Sequence, residues 1–264
     1  MSDFKWRHFK GETILQCVRW YCKYGLSYRD LEEIMRERGI EVDHTTIYRW
    51  VQHYGPELEK RLRWRYRPAI SGTWHVDETY IKVGGDWKYL YRAISKDGDT
   101  IDFFLSPTRS TAMAKRFLSK AIRKMKLADS PHTINTDKNP SYGVALKEMK
   151  LAGKCDPNIL HRQVKYLNNG LEADHGKLKR LIYPVRGFKT MKTAYATIKG
   201  FEVMRMFRKG QLRAWQRFPG VKGEVYLVEK VFGIEDDEAS REFWHSLYEA
   251  LPTEIGRASC RERV

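Results

Sequence analysis

The chain has few cysteines, and their arrangement does not suggest a metal site or a disulfide framework. Only four of the 264 residues are cysteine, and none forms a CxxC pair or a Cys/His array with zinc-ligand spacing. This pattern excludes a zinc finger and a disulfide-stapled scaffold. We interpret the cysteines as reduced and structural, and Cys17 and Cys22, which fall in an apolar helical pattern, as small buried side chains.

Long apolar segments are also missing. No run of eighteen apolar residues occurs, and residues 1–10 mix charged and aromatic side chains instead of forming the apolar stretch of a signal peptide. A membrane-spanning or secreted protein is therefore not expected. We therefore predict a cytoplasmic protein.

Basic residues outnumber acidic residues in this chain. Lys and Arg total 49 against 33 Asp and Glu, which gives a formal net charge of +16 and a pI of about 9.6. Such an excess of positive charge predicts a polyanionic partner. Nucleic acid is the first candidate, and an anionic membrane surface is the second.

The first 58 residues have the apolar spacing of three helices. A capping pattern of Ser27 and Asp30 begins the second helix, and Asp43 is placed to cap the third. Two short helices joined by a tight turn suggest a helix-turn-helix, whose second helix enters the major groove of DNA. The alternative is a three-helix packing or dimerisation module with a solvated polar face. The third helix has four polar side chains opposite its apolar face, and we predict that they contact DNA: Thr45, Tyr48, Arg49 and Gln52.

Residues 59–72 form a predicted basic linker. Lys60 to Arg67 places five basic residues among eight, interleaved with apolar and aromatic side chains. A linker that follows a phosphate backbone has this composition. A solvated helical face is the alternative.

From residue 73 to 215 the pattern changes to strands followed by alternating strands and helices. Three β-branched and aromatic segments separated by Gly-containing turns predict an antiparallel meander. The order of the later elements predicts a mixed α/β sheet covered by helices. The predicted strands are Trp74–Val83, Trp87–Ile94, Thr100–Ser106, Thr133–Thr136 and Ile159–Val164, and the predicted helices are Ser110–Lys126, one after Pro140 and one from Leu171.

Charge divides the C-terminal part of the chain. Residues 161–213 contain 13 Lys or Arg and only three acids, whereas residues 216–254 include the acidic cluster 235–238. We predict that the acidic extension lies away from DNA. Residues 255–264 resemble a translated vector or adapter sequence, and we interpret them as a non-native tail.

Three acids occupy positions where a metal-binding carboxylate is useful. Asp77 lies within a predicted strand, Asp137 ends a second, and Glu172 is near the start of a helix. A carboxylate at the centre of a sheet is costly unless it is paired or binds a metal. Oxygen ligands favour Mg²⁺, with Mn²⁺ as a substitute, and two such ions support in-line displacement at phosphorus. Lys179 follows Glu172 on the same helical face, where it can reach a phosphate, whereas Asp174 turns to a different face.

Several ordered segments together resemble the bacterial insertion-sequence transposases of the IS-six family, in the IS-twenty-six group. The resemblance runs from about Phe4 to Val231 and departs from the family at Gly170, Leu171 and Asn139. The segments that carry it include WYCKYG at 20–25, TIYRWV at 46–51, HVDETY at 75–80, NTDK at 135–138, EADHGKLKR at 172–180 and GFKTMKTA at 187–194.

The resemblance implies an RNase H-like core with a DDE triad, here Asp77, Asp137 and Glu172, that acts as catalytic and metal-binding residues for two Mg²⁺ ions. It also implies that the N-terminal helix-turn-helix recognises the terminal inverted repeats of the element. Strand cleavage and 3′-hydroxyl strand transfer follow, usually by a copy-in route that yields cointegrates. The basic helix after the Glu supplies further expected DNA contacts: Lys177, Lys179 and Arg180.

Two other functions fit parts of the sequence. One is a transposase-derived DNA-binding regulator without catalysis, although all three acids are present. The other is a tyrosine recombinase, which needs no metal but is mostly helical and fits the predicted strands poorly. If the chain is a transposase, two element ends have to meet, so we expect at least a homodimer acting on double-stranded DNA.

Overall fold

The computed structural model describes residues 4, 8–62, 72–123, 130–164, 169–211 and 220–234. Within these ranges a five-stranded sheet has helices on both faces. The strands are β1 (Thr73–Val83), β2 (Asp86–Ser95), β3 (Thr100–Ser106), β4 (Thr133–Thr136) and β5 (Leu160–Gln163). The helices are α1 (Gly11–Lys23), α2 (Tyr28–Glu37), α3 (His44–Leu62), α4 (Thr111–Arg123), α5 (Pro140–Leu151), α6 (Asn169–Ile182), α7 (Met191–Arg208) and α8 (Gly220–Val231), and a 3-10 turn covers Tyr183–Val185.

The strand order of the sheet is β3-β2-β1-β4-β5. The first three strands form an antiparallel meander, and β4 and β5 run parallel to β1. This order and these directions define an RNase H-like fold and confirm the predicted mixed α/β class. Gly84 and Gly85, both with positive φ, make the tight turn between β1 and β2 that an L-residue would strain.

Each face of the sheet packs against a separate apolar core because side chains alternate along a strand. On β1, Trp74 and Val76 point into a core formed with α4 and α5. Ile81 and Val83 point into the opposite core, which contains side chains from α6 and α7. The central strand is therefore covered on both sides, and an ionisable side chain on it is at least partly buried.

The three predicted N-terminal helices are present. Ser27 and Asp30 form the predicted capping box: the Asp30 amide donates to Ser27 Oγ over 3.1 Å, and the Ser27 amide donates to Asp30 Oδ2 over 2.7 Å. Asp43 accepts from the Thr45 amide at the start of α3 over 2.8 Å. Helix α3 continues to Leu62, into the range predicted as a linker, and residues 63–71 of that linker lie outside the described residues.

These helices share a core with α7 and α8 instead of forming one of their own. Arg19 and Lys23 of α1 contact the buried Glu224 of α8 over 2.8 and 2.7 Å. Glu224 lies in the range predicted as an acidic extension, so this part of the extension is a packed helix. The acidic cluster and the predicted non-native tail, at 235–264, lie outside the described residues, and the domain boundaries remain predictions.

None of the helices in the described ranges has the length and apolar character needed to cross a membrane.

Helices α3 and α7 approach closely at a pair of glycines. A Cβ on Gly200 would lie 2.5 Å from the sulfur of buried Cys22 and 3.6 Å from the Cα of Gly55. A Cβ on Gly55 would lie 3.2 Å from the Ala196 carbonyl oxygen. Because one contact is a buried side chain and the other is backbone, neither can move away cheaply.

We expect Gly200→Ala to lower the free energy of unfolding by about 1 to 2 kcal/mol, because overpacking outweighs the gain in helix propensity. Urea unfolding measures the change. Gly176→Ala is the matched control, since Gly176 is also inside a helix but has open space around it. In a Cys22→Ala background the cost of Gly200→Ala should disappear, and an unchanged cost there would contradict the proposed contact.

Candidate active site

The sheet brings two of the three predicted acids together. Asp77 lies in β1, and Asp137 directly follows β4. The two strands are parallel neighbours, and Val76 pairs with Thr136, so the next residue of each chain segment is an acid. Carboxylate oxygens of Asp77, Asp137 and the adjacent Glu78 all lie within 4.8 Å of one another.

Glu78 is a member of this cluster that the sequence reasoning missed. It points to the α4–α5 side of β1, where it is 6% exposed. The Tyr142 hydroxyl donates to Glu78 Oε2 over 2.5 Å, and the side-chain amide of Asn139 donates to Glu78 Oε1 over 3.3 Å. Arg109 forms an ion pair with Oε1. A signal did exist: Trp74 and Val76 mark a buried face of β1 that Glu78 continues, and a buried glutamate requires partners.

Both oxygens of Glu78 are therefore engaged by the surrounding protein. By contrast, within the described residues Asp77 Oδ1 accepts only the neighbouring Glu78 backbone amide, over 2.8 Å, and Asp137 Oδ1 accepts the Asn139 backbone amide over 3.0 Å. Arg109 also approaches Asp137 Oδ2, at 3.8 Å. In the part of the chain that the structure describes, Glu78 is therefore held beside two carboxylates with fewer partners.

The electrostatics identify Asp77 as the centre of the site. Burial, together with the smaller effect of the neighbouring carboxylates of Glu78, Asp137 and Glu172, raises the pKa of Asp77 to about 7, although the hydrogen bond from the Glu78 backbone amide lowers it. The negative charge of Glu172 thus also acts on the Asp77 carboxyl group. Glu172 is not a member of the tight cluster of Asp77, Glu78 and Asp137. Glu172 lies exposed in the first turn of α6.

A buried ion cluster places α6, and hence Glu172, against the sheet. Asp174 on α6 lies 2.6 Å from Arg92 Nη2, and Arg92 on β2 is the cross-strand neighbour of Asp77. Asp174 also contacts two cations of the α7 region, Arg205 and, at 3.0 Å, Lys209. Burial alone would raise the pKa of Asp174, but these cations hold it below its usual value. The carboxylate of Asp174 is thus engaged by buried cations, and that Asp174 is a poorer metal ligand than Glu172 stays a prediction.

The residues predicted to contact DNA lie in two places. On α3, Thr45 and Arg49 are exposed, whereas Tyr48 is half-buried against the ring of Tyr28. Gln52 differs from the prediction, because it is half-buried and its amide donates to Thr197 of α7 over 2.8 Å. The helix spacing placed it on the polar face, but α7 covers that part of the helix. The remaining predicted contacts are exposed on α6: Lys177, Lys179 and Arg180.

The cluster suits a hard divalent cation. Its donors are carboxylate oxygens, and like charges this close are stable only when they are protonated or when a cation lies between them. The raised pKa of Asp77 comes first from burial and second from the repulsion by these neighbouring carboxylates. Carboxylate oxygens of the predicted metal ligands Asp77 and Asp137 thus lie within 4.8 Å of each other, and the charge of Glu172 on α6 acts on Asp77.

Comparisons with known proteins agree with this geometry. Residues 71–211 match a family model described as a DDE domain. The transposase for insertion sequence-like element IS431mec of Staphylococcus aureus strain Mu50 is 38% identical over 216 residues, which cover 82% of this chain and 93% of that protein. This chain belongs to the IS-six family of DDE transposases. The transposase for IS257 in transposon Tn4003, also from Staphylococcus aureus, is similar to the same extent.

Family membership makes this transposase an enzyme of the polynucleotidyl-transferase class. Solved structures resemble it more weakly. The HTLV-2 integrase catalytic core domain in complex with magnesium is 17% identical and aligns with 51% of this chain and 86% of that chain, at a TM-score of 0.38. The BIV integrase catalytic core domain is 14% identical, covers 61% of this chain and 96% of that chain, and has a TM-score of 0.37. The fold assignment rests on the strand order and directions, since these scores are low.

The raised pKa of Asp77 predicts a pH-dependent stability in metal-free protein. Between pH 3.8, the ordinary value, and about 7 the folded state keeps a proton that the unfolded state has lost. The free energy of unfolding should therefore fall as pH rises through this window. We expect Asp77→Asn to be more stable than wild type by about 2 to 4 kcal/mol at high pH, with the difference vanishing near pH 4.

Urea unfolding in EDTA across this pH range measures the difference. Asp97→Asn, in an exposed turn between β2 and β3, is the control and should follow the wild-type profile. Equal pH profiles for wild type and Asp77→Asn would show that the carboxylates do not interact as the structure indicates.

Proposed function

We propose that this transposase binds the terminal inverted repeats of an insertion sequence and catalyses metal-dependent strand cleavage and 3′-hydroxyl strand transfer. Asp77, Asp137 and Glu172 are the catalytic and metal-binding residues in this proposal. The observation that supports it most is the close approach of the Asp77 and Asp137 carboxylates, and the charge of Glu172 also acts on Asp77. The similarity to insertion-sequence transposases supports the choice of reaction.

Glu172, not Glu78, completes the proposed metal site. The oxygens of Glu78 already accept from Tyr142, Asn139 and Arg109, so a metal ion would have to displace these partners. Glu172 is exposed and carried on a helix that the Asp174 ion cluster fixes in place. Glu78 then acts as a positioning residue that holds Arg109 beside Asp137.

Two Mg²⁺ ions bound by the three acids would polarise the phosphate and activate the attacking oxygen. The protein's own contribution is to hold the acids and the DNA in a fixed relation. Asp77 and Asp137 lie side by side because they directly follow Val76 and Thr136, the last residues paired between β1 and β4. Arg109 supplies positive charge at the edge of the cluster, where it can pair with a phosphate oxygen.

The proposed DNA contacts combine sequence reading and backbone binding. Thr45, Tyr48 and Arg49 on the first turns of α3 would reach base edges or phosphates in the major groove. Lys177, Lys179 and Arg180 on α6 would bind phosphates near the cleavage site. Because two element ends are joined, the working assembly contains at least two protomers, and we expect the copy-in route with cointegrates. The protein would act in the bacterial cytoplasm and associate with the nucleoid when it is bound to DNA.

We expect Asp77→Asn, Asp137→Asn and Glu172→Gln each to abolish nicking and joining of a supercoiled plasmid that carries the inverted repeats, in the presence of Mg²⁺. Each substitution removes charge from the site but none from α3, so binding of the repeats in gel-shift assays should persist. Glu148→Gln, an exposed acid of α5 that pairs with Lys115, is the control and should cleave normally.

Other outcomes would identify other functions. Repeat binding without nicking by the wild-type protein would indicate a DNA-binding regulator. Cleavage in EDTA with protein-linked DNA would indicate a tyrosine recombinase. Loss of cleavage with Glu78→Gln but not with Glu172→Gln would make Glu78 the third metal ligand.

We expect Lys179→Ala to weaken duplex binding and to reduce the slope of log Kd against log salt by about one, because one phosphate contact is lost. Fluorescence anisotropy over a salt series measures the slope. Lys147→Ala on the exposed face of α5 is the control and should leave the slope unchanged. An unchanged slope for Lys179→Ala would remove Lys179 from the DNA contacts.

A further inference from the structure

A large groove lies between the N-terminal helices and the far end of the catalytic sheet. Its volume is about 1890 Å³, and it is lined by the beginnings of α2 and α3, the β1–β2 hairpin, the end of α6 and the segment that follows α6. Lys179 of α6 is one of its lining residues, seven positions after Glu172. Seven helical residues span about 10 Å, so the groove begins close to the proposed metal site.

The charge of the groove selects an anionic ligand. Its lining includes five basic side chains, all exposed, and one acid, Asp30. The Asp30 carboxylate is engaged in the α2 capping box, where it accepts from the Ser27 amide over 2.7 Å. The basic lining residues are Arg29, Lys82, Lys179, Arg186 and Lys189.

Aromatic rings stand exposed among these cations. Tyr183 is 85% exposed, Trp87 is 63% exposed and Tyr80 is 43% exposed, and all three line the groove. Trp87 lies across from Lys82 in the β1–β2 register, so a ring and a cation are neighbours at the hairpin end. Clustered exposed rings of this size mark a binding surface more often than an ordinary surface.

We propose that this groove binds an unpaired strand of DNA, with phosphates on the basic side chains and bases stacked on Trp87 and Tyr183. Basic grooves with interleaved aromatic rings bind single strands in this way, because each base offers a flat π face. A duplex hides those faces inside its stack and would use the cations but not the rings. The proposal rests on the proposed function in one respect, namely that the strand belongs to the DNA being cut.

The position of the groove fits this occupant. Its walls come from α2, from the beginning of α3, which is the helix predicted to read the duplex, and from the helix that carries Glu172. A strand that separates from the duplex near the carboxylates therefore meets the groove within about 10 Å. The rings would hold the separated strand and keep it from re-pairing while the other strand reacts.

The test is fluorescence anisotropy with a labelled oligothymidine strand of about 16 nucleotides and a duplex of equal length, both in EDTA so that no cleavage occurs. We expect Trp87→Ala and Tyr183→Ala each to weaken oligothymidine binding at least about fivefold. Trp87→Phe and Tyr183→Phe keep a ring and should bind like wild type. Leu151→Ala, an 81% exposed apolar residue of α5, is the matched control and should have no effect.

The same assay should distinguish the contribution of phosphate contacts to strand binding from the contribution of base stacking. Arg186→Ala should reduce the salt slope for oligothymidine by about 0.7, whereas the alanine variants of the rings should leave the slope unchanged. Duplex affinity should be the same for wild type and for the ring variants. Full oligothymidine affinity in both ring variants, or an equal loss of duplex affinity, would overturn the proposal.

A second copy of this chain is the other possible occupant. A change of oligomeric state in Trp87→Ala by sedimentation velocity, with oligothymidine affinity unchanged, would assign the rings to self-association and overturn the proposal. The outcomes also separate from those of the proposed function. If wild type nicks DNA but the ring variants bind oligothymidine normally, only the groove proposal is rejected. If strand binding depends on the rings but the protein never nicks DNA, the groove proposal is supported and the transposition reaction is rejected.

Discussion

The active-site geometry depends on the buried ion cluster around Arg92. Arg92 is fully buried on β2 and contacts Asp174 of α6 and Glu202 of α7, at 2.6 and 2.9 Å. Loss of this cation would remove one partner from each of two buried carboxylates, although Asp174 would still contact Arg205 and Lys209. Breaking a buried ion pair costs up to about 3–5 kcal/mol. Because Asp174 is two residues from Glu172, the same contacts that stabilise the helix layer also set where the third acid of the site lies. The cluster therefore both stabilises the fold and positions Glu172.

The arrangement of carboxylates that would bind a metal ion is costly for the folded protein when no cation is bound. Parallel pairing of β1 and β4 forces Asp77 and Asp137 together, and burial with repulsion raises the pKa of Asp77 to about 7. Glu78 is the next residue of β1, and its carboxylate lies in the same cluster but accepts a hydrogen bond from Tyr142 and pairs with Arg109. One carboxylate of the cluster is thus engaged by protein partners, whereas a bound cation would balance the charge of the others.

The N-terminal helices are part of the same packed body as the catalytic sheet. Close approach of α3 to α7 at two glycines and the contacts of α1 with Glu224 connect them to the core that also covers β1. This packing has a functional consequence, because it creates the groove between the proposed DNA-reading helix and the helix carrying Glu172. A helical domain joined only by a basic linker would leave no fixed groove there.

Local patterns in the sequence determined helices α1 to α6, the meander, the Ser27 capping box and the setting of each acid, because these depend on residues a few positions apart. The bounds of helices α7 and α8 were not predicted. Family resemblance then implied the triad and the RNase H-like fold, and the strand order confirms the fold. Three features needed the tertiary structure. Glu78 gains its partners from α5 and the segment before α4, Gln52 is covered by α7, and the groove is built from segments up to about 160 residues apart, from Gly25 to Lys189. Pairing between distant segments, and not local periodicity, decides which polar side chains face solvent.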